Sequence, residues 1–396
     1  MTDFPTIKLQ QGRDKRVFSG HPWVYSNEIV PDPALQSLPP GGLVKVEAAS
    51  GKFIATATYN PKTLIAARVL SRDPAEAIDR DYFSKRVIRS LALRQAIYRE
   101  PYYRVVHAEA DGLPATIVDR FGDVLAVQTN SAGSDAHRDM LLDVLDSVLH
   151  PKAIVLRNDS PSRTIEGLEE AVTLARGALD GPVEIVDNGT RFAIELIDGQ
   201  KTGWFYDQRD NRAFVAMLAA GLPRMLDVYS YAGGFGIQCA VSDTRSVLAI
   251  DRSEGALGLV SRAAELNGVT HKVETRKGDA FTLLEALVAA GEQYDMVVAD
   301  PPAFVKSRKD LNAGLRAYAK LARLAAQLVR PGGYMFIASC SHNAGIEDFT
   351  VAVAKGLSEA KRTGRILRAS GAGPDHPVDP FLPETAYLKA LTLQLD

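Results

Sequence analysis

Two short motifs hold the residues whose types and spacing could do chemistry. Cys340 stands in Ser339-Cys340-Ser341, after the apolar run Tyr334-Met335-Phe336-Ile337-Ala338. Asp300 opens Asp300-Pro301-Pro302-Ala303-Phe304, after the run Met296-Val297-Val298-Ala299. Both runs read as strands, and in an open α/β sheet the carboxyl ends of strands form the ligand-binding edge. The two prolines fix the backbone and supply no N–H, which leaves the Asp300 carboxylate and nearby carbonyls at that edge. A thiol beside a carboxyl suits methyl transfer to carbon 5 of a pyrimidine. That carbon is a poor nucleophile until a thiolate adds at carbon 6 and makes it enamine-like. Asp300 would then hydrogen-bond or protonate ring nitrogen 3. Pro301, Pro302 and Phe304 would meet the base, with Phe304 stacking on it once it is extruded. Lys306, in a loop with Arg308 and Lys309, would meet RNA phosphate. No metal is required. Cys239 reads as a packing residue inside a helix and His342 as an exposed loop histidine; the base that removes the carbon-5 proton is not legible.

A second constellation looks like a cofactor loop. Leu226-Asp227-Val228-Tyr229-Ser230-Tyr231-Ala232-Gly233-Gly234-Phe235-Gly236 leaves a strand and opens a helix. Gly233 and Gly234 permit a tight turn and close backbone approach to a ligand. A dinucleotide fingerprint begun at Gly234 would need a third small residue where Cys239 stands, so the match is imperfect. Asp251, followed by Arg252, ends the next strand, where a carboxylate can accept both ribose hydroxyls. Gly278-Asp279-Ala280 ends the third, where an Asp can read an adenine amino group. Acids at three strand ends, Asp227 included, fit S-adenosylmethionine better than a nicotinamide dinucleotide, because that cofactor carries no phosphate to cradle.

These residues need a sheet to hold them. Strands at 225–229, 246–250, 295–299 and 334–338 alternate with helical stretches, the rhythm of a doubly wound α/β domain. Asn188-Gly189 marks a type I′ hairpin just before it. Upstream, short strands punctuated by Pro39-Pro40-Gly41-Gly42, Ser50-Gly51 and Asn60-Pro61 read as a small β-barrel. A helix over about 80–99 places Lys85, Arg86, Arg89 and Arg99 on one surface, and a mixed α+β module follows. The expected organisation is a β-barrel domain over 1–74, a central α+β domain over 75–186 and a Rossmann-like α/β domain over 187–396.

Composition sets the outer bounds. With 396 residues, 46% hydrophobic and 24% charged, the chain has the make-up of a soluble multidomain protein. No apolar run approaches the length of a membrane span. The first residues have neither a basic start nor an apolar stretch, so a cytoplasmic protein is expected. Two cysteines are too few for a disulfide framework or a zinc cluster. Residues 1–104 hold sixteen basic and ten acidic side chains, against an overall charge of −2. A polyanion-facing front half on an acidic body follows, and with it salt-sensitive RNA binding.

Taken together the motifs resemble the ribosomal RNA large subunit methyltransferase I family of 5-methylcytosine enzymes, over nearly the whole chain. Gly12-Arg13 with Gly20-His21-Pro22-Trp23-Val24-Tyr25-Ser26 is similar to that family's N-terminal PUA domain, an RNA-binding barrel. Lys201-Thr202-Gly203-Trp204-Phe205-Tyr206-Asp207-Gln208-Arg209 is similar to the stretch the family uses for the methionine end of S-adenosylmethionine. The resemblance implies that role for Lys201, Gln208 and Arg209, and an Arg fork suits a carboxylate. It also implies Cys340 as nucleophile, ribosomal RNA as partner and a homodimer as a possible state. Gly373-Pro374-Asp375-His376-Pro377 and Tyr387-Leu388-Lys389 match the family's C-terminal signature, with a structural loop as the default role. Two other readings stay open at this point. One keeps the fold and cofactor but methylates another base such as guanine, with Cys340 incidental; the other is a non-catalytic RNA-binding assembly factor.

Overall fold

A computed structural model of the chain describes residues 4–197, 199 and 202–396. They form two compact units. The first takes the chain up to Val183, with Glu195–Trp204 and Pro374–Thr385; the second takes Glu184–Ile194, Phe205–Gly373 and Ala386–Asp396. Residues 374–385 and the described residues of 195–204, expected within the C-terminal domain, therefore group with the first unit. No helix among the described residues is long and apolar enough to cross a membrane.

The first unit contains two five-stranded sheets. One orders its strands Thr6–Lys8, Gly42–Glu47, Phe53–Tyr59, Ile65–Ser71, Trp23–Tyr25. Ile7, Val24, Val44, Val46, Ala55 and Ala67 fill its interior, with Val44 and Val46 two apart on one face, as a strand's alternation requires. The other sheet carries the helices Arg80–Ile97 and Arg138–Leu149. Phe83, Val87 and Leu91 pack with Leu141 and Leu145 over Val105, Val118 and Ile154. Asp79 starts the first of these helices by accepting from the N–H groups of Asp81 and Tyr82. The basic surface expected here is smaller than its sequence implies. Arg86 lies 3.4 Å over the Tyr82 ring and pairs with Glu76 at 3.1 Å, so its charge is already used.

The Pro374–Thr385 segment is anchored by charge. Arg94, fully buried, makes a two-pronged bond to Asp111 at 2.7 Å and donates to the Asp375 carbonyl at 2.9 Å. The Asp375 carboxylate accepts the Arg104 N–H at 3.0 Å and meets His376 Nδ1 at 2.8 Å. His376 packs against His107, ring centroids 5.0 Å apart. Burial, and then the Arg104 cation, hold His107 well below its usual range, so it stays neutral.

In the second unit seven strands make one sheet: β1 (Arg224–Val228), β2 (Ser246–Asp251), β3 (Val273–Lys277), β4 (Tyr294–Ala299), β5 (Val329–Ser339), β6 (Gly364–Ser370) and β7 (Lys389–Leu395). Their order is β3-β2-β1-β4-β5-β7-β6. The first five run parallel, and β7 is antiparallel to both its neighbours. Helices α1 (Arg209–Ala219), α2 (Gly234–Val241), α3 (Glu254–Leu266), α4 (Ala280–Ala289), α5 (Leu311–Leu328) and α6 (Ile346–Glu359) cover it. A strand covered on both faces is apolar throughout rather than alternating, which explains Met296-Val297-Val298-Ala299, every side chain of it fully buried. Strand order reverses between β1 and β4. The loops after those two strands therefore flank the switch point where open α/β sheets bind ligands.

Removing Arg94 strands the buried Asp111 charge, so Arg94→Met should destabilise the first unit by about 3–5 kcal/mol. Both tryptophans, Trp23 and Trp204, belong to that unit. A urea titration followed by tryptophan fluorescence reads the loss directly, and an unchanged midpoint would refute the anchoring role.

Candidate active site

The loop after β1 is held in an uncommon backbone shape. Tyr229 and Tyr231 have φ of 64° and 47°, and Gly233 has φ of 80°. Left-handed backbone at the two tyrosines costs about 1–3 kcal/mol each and persists only where the surroundings enforce it. Here the Ser230 N–H donates to the Ile250 carbonyl at 3.0 Å, the Tyr231 N–H to the Asp251 carboxylate at 3.0 Å, and the Gly233 N–H to the Ser230 carbonyl at 2.8 Å. Beneath the loop, buried Asp227 accepts the Gly236 N–H at 2.8 Å. A side chain at position 236 would begin 3.0 Å from that carboxylate oxygen, so glycine makes the approach possible. Burial pushes the Asp227 carboxyl up to about 7. Ser230 Oγ is buried without a hydrogen-bond partner, an unmet need that a polar ligand in the loop would satisfy.

Asp251 ends β2, with one oxygen on the Tyr231 N–H and the other on the Ser253 N–H at 2.8 Å. Arg252 beside it is exposed. Gly278 follows β3. Asp279 caps α4 through the Thr282 N–H at 3.0 Å, a bond that draws its carboxyl below the usual range. Ala280 is the first residue of that helix. Tyr229 stands among these groups: burial first, then the charges of Asp279, Tyr318 and Asp251, push its phenol upward. Asp251 and Asp279, the expected ribose and adenine readers, both act electrostatically on this one phenol.

Asp300 follows β4 and accepts from Gln208 Nε2 at 2.9 Å. Gln208 Oε1 accepts from Asn211 at 2.7 Å, and Asn211 Oδ1 from Ser370 Oγ at 2.7 Å. Burial, reinforced by the negative charge of Asp207, pushes the Asp300 carboxyl up to about 7. Asp207, a residue sequence reasoning passed over, takes the Tyr387 hydroxyl at 2.6 Å on one oxygen, while its other oxygen is buried without a partner. Arg209 lies differently from expectation. Its Nε sits 2.8 Å from Asp187, which also pairs with Arg212 at 2.6 Å. The carboxylate this Arg engages is the protein's own. Lys201 lies outside the described residues. Pro301 is buried and Pro302 exposed. Phe304 rests against Tyr318, centroids 4.8 Å apart, and against Phe281 at 6.1 Å, so part of its stacking surface is already used. Lys306 is exposed, and its carbonyl accepts from Asn343 at 3.2 Å.

Cys340 follows β5 at the same edge, half-buried. On an extended strand, residues two apart share a face, so Ser339 and Ser341 turn together away from the cysteine. Ser339 Oγ donates to the Tyr318 hydroxyl at 2.8 Å, and Ser341 Oγ shares a bond with the same hydroxyl at 2.9 Å. The Val305 N–H, from the Asp-Pro-Pro loop, donates to Ser341 Oγ at 3.1 Å. Lys389 Nζ donates to the Ser341 carbonyl at 2.6 Å. Sequence reasoning missed Tyr318 and Lys389; the Ser-x-Ser alternation was the signal for a shared partner. Cys239 is buried inside α2, and burial pushes its thiol far up, which makes it inert.

A strand-order switch, a strained loop over a buried acid, and acids at successive strand ends define a Rossmann-like S-adenosylmethionine-dependent methyltransferase. Comparison with known proteins agrees. Residues 170–393 match the family model described as S-adenosylmethionine-dependent methyltransferase, and residues 7–72 match a PUA-like domain. The chain belongs to the ribosomal RNA large subunit methyltransferase I family. It is 35% identical to the enzyme of that name from Shewanella denitrificans, covering 98% of this chain and 99% of the relative. Its identity to the Erwinia tasmaniensis enzyme is 33%, with 98% of each chain covered. Among solved structures, a SAM-dependent methyltransferase from Streptococcus mutans superposes with a TM-score of 0.82 at 20% identity, over 98% of this chain and all of that one. A methyltransferase solved with SAH gives 0.84 at 19%, with the same coverage; these two share the fold. S-adenosylmethionine is therefore the cofactor. The orphaned Ser230 and Asp207 oxygens fit a ligand rich in hydroxyl and amino groups.

The raised Asp300 carboxyl gives a pH test. An unfolded chain ionises this group near 3.9, the folded one near 7. Its burden on stability is therefore absent at low pH, grows as pH rises, and levels off above about pH 8. Asp300→Asn keeps an acceptor for Gln208 and removes the charge. Its stability relative to wild type should improve by about 1.5 kcal/mol between pH 6 and pH 8. Calorimetric melting checks this, and a difference that does not vary with pH would contradict it.

Proposed function

We propose that the protein transfers a methyl group from S-adenosylmethionine to carbon 5 of a cytosine in large-subunit ribosomal RNA, through a covalent adduct on Cys340. The observation that carries this reading is the placement of Cys340, partly accessible just after the carboxyl end of β5, with Asp300 just after the neighbouring β4. The names of the curated relatives and the PUA-like match support ribosomal RNA as the substrate class.

In this reading the loop residues Tyr229, Ser230, Gly233 and Gly234, over Asp227, take the body of the cofactor. Asp251, with Arg252 beside it, takes the ribose. Gly278, Asp279 and Ala280 take the adenine. Gln208 and Arg209 serve the methionine end, and Arg209 would act while still paired with Asp187. When bound, S-adenosylmethionine supplies a methyl group activated on a sulfonium. Pro301, Pro302 and Phe304 line the place of the extruded base, and Lys306 meets backbone phosphate.

The Cys340 thiolate forms a bond to carbon 6, and the displaced π pair makes carbon 5 nucleophilic. Asp300, raised to about 7 and so partly protonated at neutral pH, gives its proton to nitrogen 3 as charge builds there. Carbon 5 takes the methyl as the sulfonium carbon–sulfur pair stays with the departing sulfur. A base then removes the carbon-5 proton, the freed pair rebuilds the ring double bond, Cys340 leaves as thiolate, and nitrogen 3 returns its proton to Asp300.

The test uses labelled S-adenosylmethionine and ribosomal RNA from cells lacking the enzyme, digested to nucleosides. 5-Methylcytidine should form, and Cys340→Ala should lose at least about a thousandfold in turnover while binding the cofactor normally. A methylated guanine, or an active Cys340→Ala, would refute the reading.

A further inference from the structure

We propose that Lys389 is a positioning residue that keeps Cys340 ionised, its buried ammonium serving as counter-charge to the thiolate. The proposal rests on the reading of Cys340 as nucleophile and adds the group that activates it.

Lys389 is the first residue of β7 and pairs in register with Ser339 of β5. Only 7% of it is exposed, an uncommon state for a lysine. Its Nζ donates at 2.6 Å to the carbonyl of Ser341, the residue after Cys340, so the ammonium and the thiol are held by adjacent residues of one short stretch of backbone. No carboxylate among the described residues pairs with it. A buried ammonium without an anion is costly, and such a lysine normally sheds its proton. Burial does push Lys389 below its ordinary range, and the group that pulls it back is the negative charge of Cys340. Attraction between the two is mutual, so a cation that gains from the thiolate must also favour it.

Tyr318, from α5, is also coupled to Cys340. Burial pushes its phenol up, bonds from Ser339 and Ser341 oppose that, and the Cys340 charge adds to the rise. Tyr318 therefore stays neutral and does not compete with Cys340 for the Lys389 charge. His342, two residues beyond Cys340, is exposed and stacks on Tyr387 at 5.3 Å. Lys389 is thus the one cation in this set whose burial and place tie it to Cys340. A thiolate held in this way adds to carbon 6 without first losing a proton to solvent, and departs more readily at the end.

Alkylation reads thiol ionisation without any methyl transfer. Iodoacetamide is reacted with the full chain across pH 5–10, and modification of Cys340 is quantified by peptide mass; buried Cys239 is the internal control. In wild type the rate should titrate with a midpoint below the ordinary thiol value of about 8.5. Lys389→Gln keeps a donor for the Ser341 carbonyl but carries no charge. It should raise the midpoint by at least about one unit and slow alkylation at pH 7 roughly three- to tenfold, with cofactor affinity unchanged. Lys389→Arg should restore the low midpoint. An unshifted midpoint in a Lys389→Gln protein that still binds S-adenosylmethionine would overturn the proposal, and if that variant does not fold, the same unshifted result in Lys389→Met would do so. Failure of the cytosine reading looks different, since Cys340→Ala would then retain turnover whatever the alkylation profile.

Discussion

One buried hydroxyl organises the reactive edge. Tyr318 on α5 receives Ser339 and shares a bond with Ser341, all three fully buried. Ser341 in turn takes the Val305 N–H, and its own N–H reaches back to Ser339 Oγ at 3.3 Å. Each hydroxyl can donate once and accept twice, and every oxygen of the knot has at least two partners, two of the bonds running between hydroxyls and three coming from the Phe304, Val305 and Ser341 N–H groups. In a water-excluded setting such a network is rigid, because breaking one bond strands a polar group. The cysteine lies between the two serines and has little freedom. Since Val305 belongs to the Asp-Pro-Pro loop, the same knot ties the proposed acid and nucleophile loops together.

Electrostatics at this edge follow from burial. Asp227 and Asp300 both rise to about 7 because the sheet's carboxyl edge removes water from them. Ordinary carboxylates would be fully charged at neutral pH; these can hold a proton and give it up. Lys389 is shifted the opposite way for the same reason. Such perturbed groups cluster where a protein is built to move protons or meet a charged ligand.

Much of this was legible in the sequence, and the exceptions share a cause. Strand β4 and the Asp300 turn could be read because an apolar run ending in Asp-Pro-Pro has one sensible shape. The Asn188-Gly189 turn, with φ of 50° and 77°, follows from residue chemistry alone. Tyr318 was hidden inside an amphipathic helix, where an aromatic residue normally signals packing. Lys389 looked like part of an unassigned signature, because its meaning depends on antiparallel pairing with a strand fifty residues earlier. The ion pair on Arg209 was not legible, because Asp187, twenty-two positions upstream, folds back onto it. The Asp375-His376 signature proved to be a buried charge clamp for the same kind of reason: Arg94 and Arg104 lie far away in sequence. Local patterns announce backbone shape and strand ends, whereas partners brought in by long-range pairing leave no local trace.

The central claim is that Cys340 becomes covalently joined to carbon 6 of the base. RNA carrying 5-fluorocytidine tests it most directly, because fluorine at carbon 5 cannot leave as a proton does and the adduct persists after methyl transfer. With S-adenosylmethionine present, the wild-type protein should form a denaturant-resistant complex with that RNA, and mass mapping should place the crosslink on Cys340. Absence of the complex under conditions that methylate ordinary RNA, or its persistence in Cys340→Ala, would contradict the thiolate mechanism.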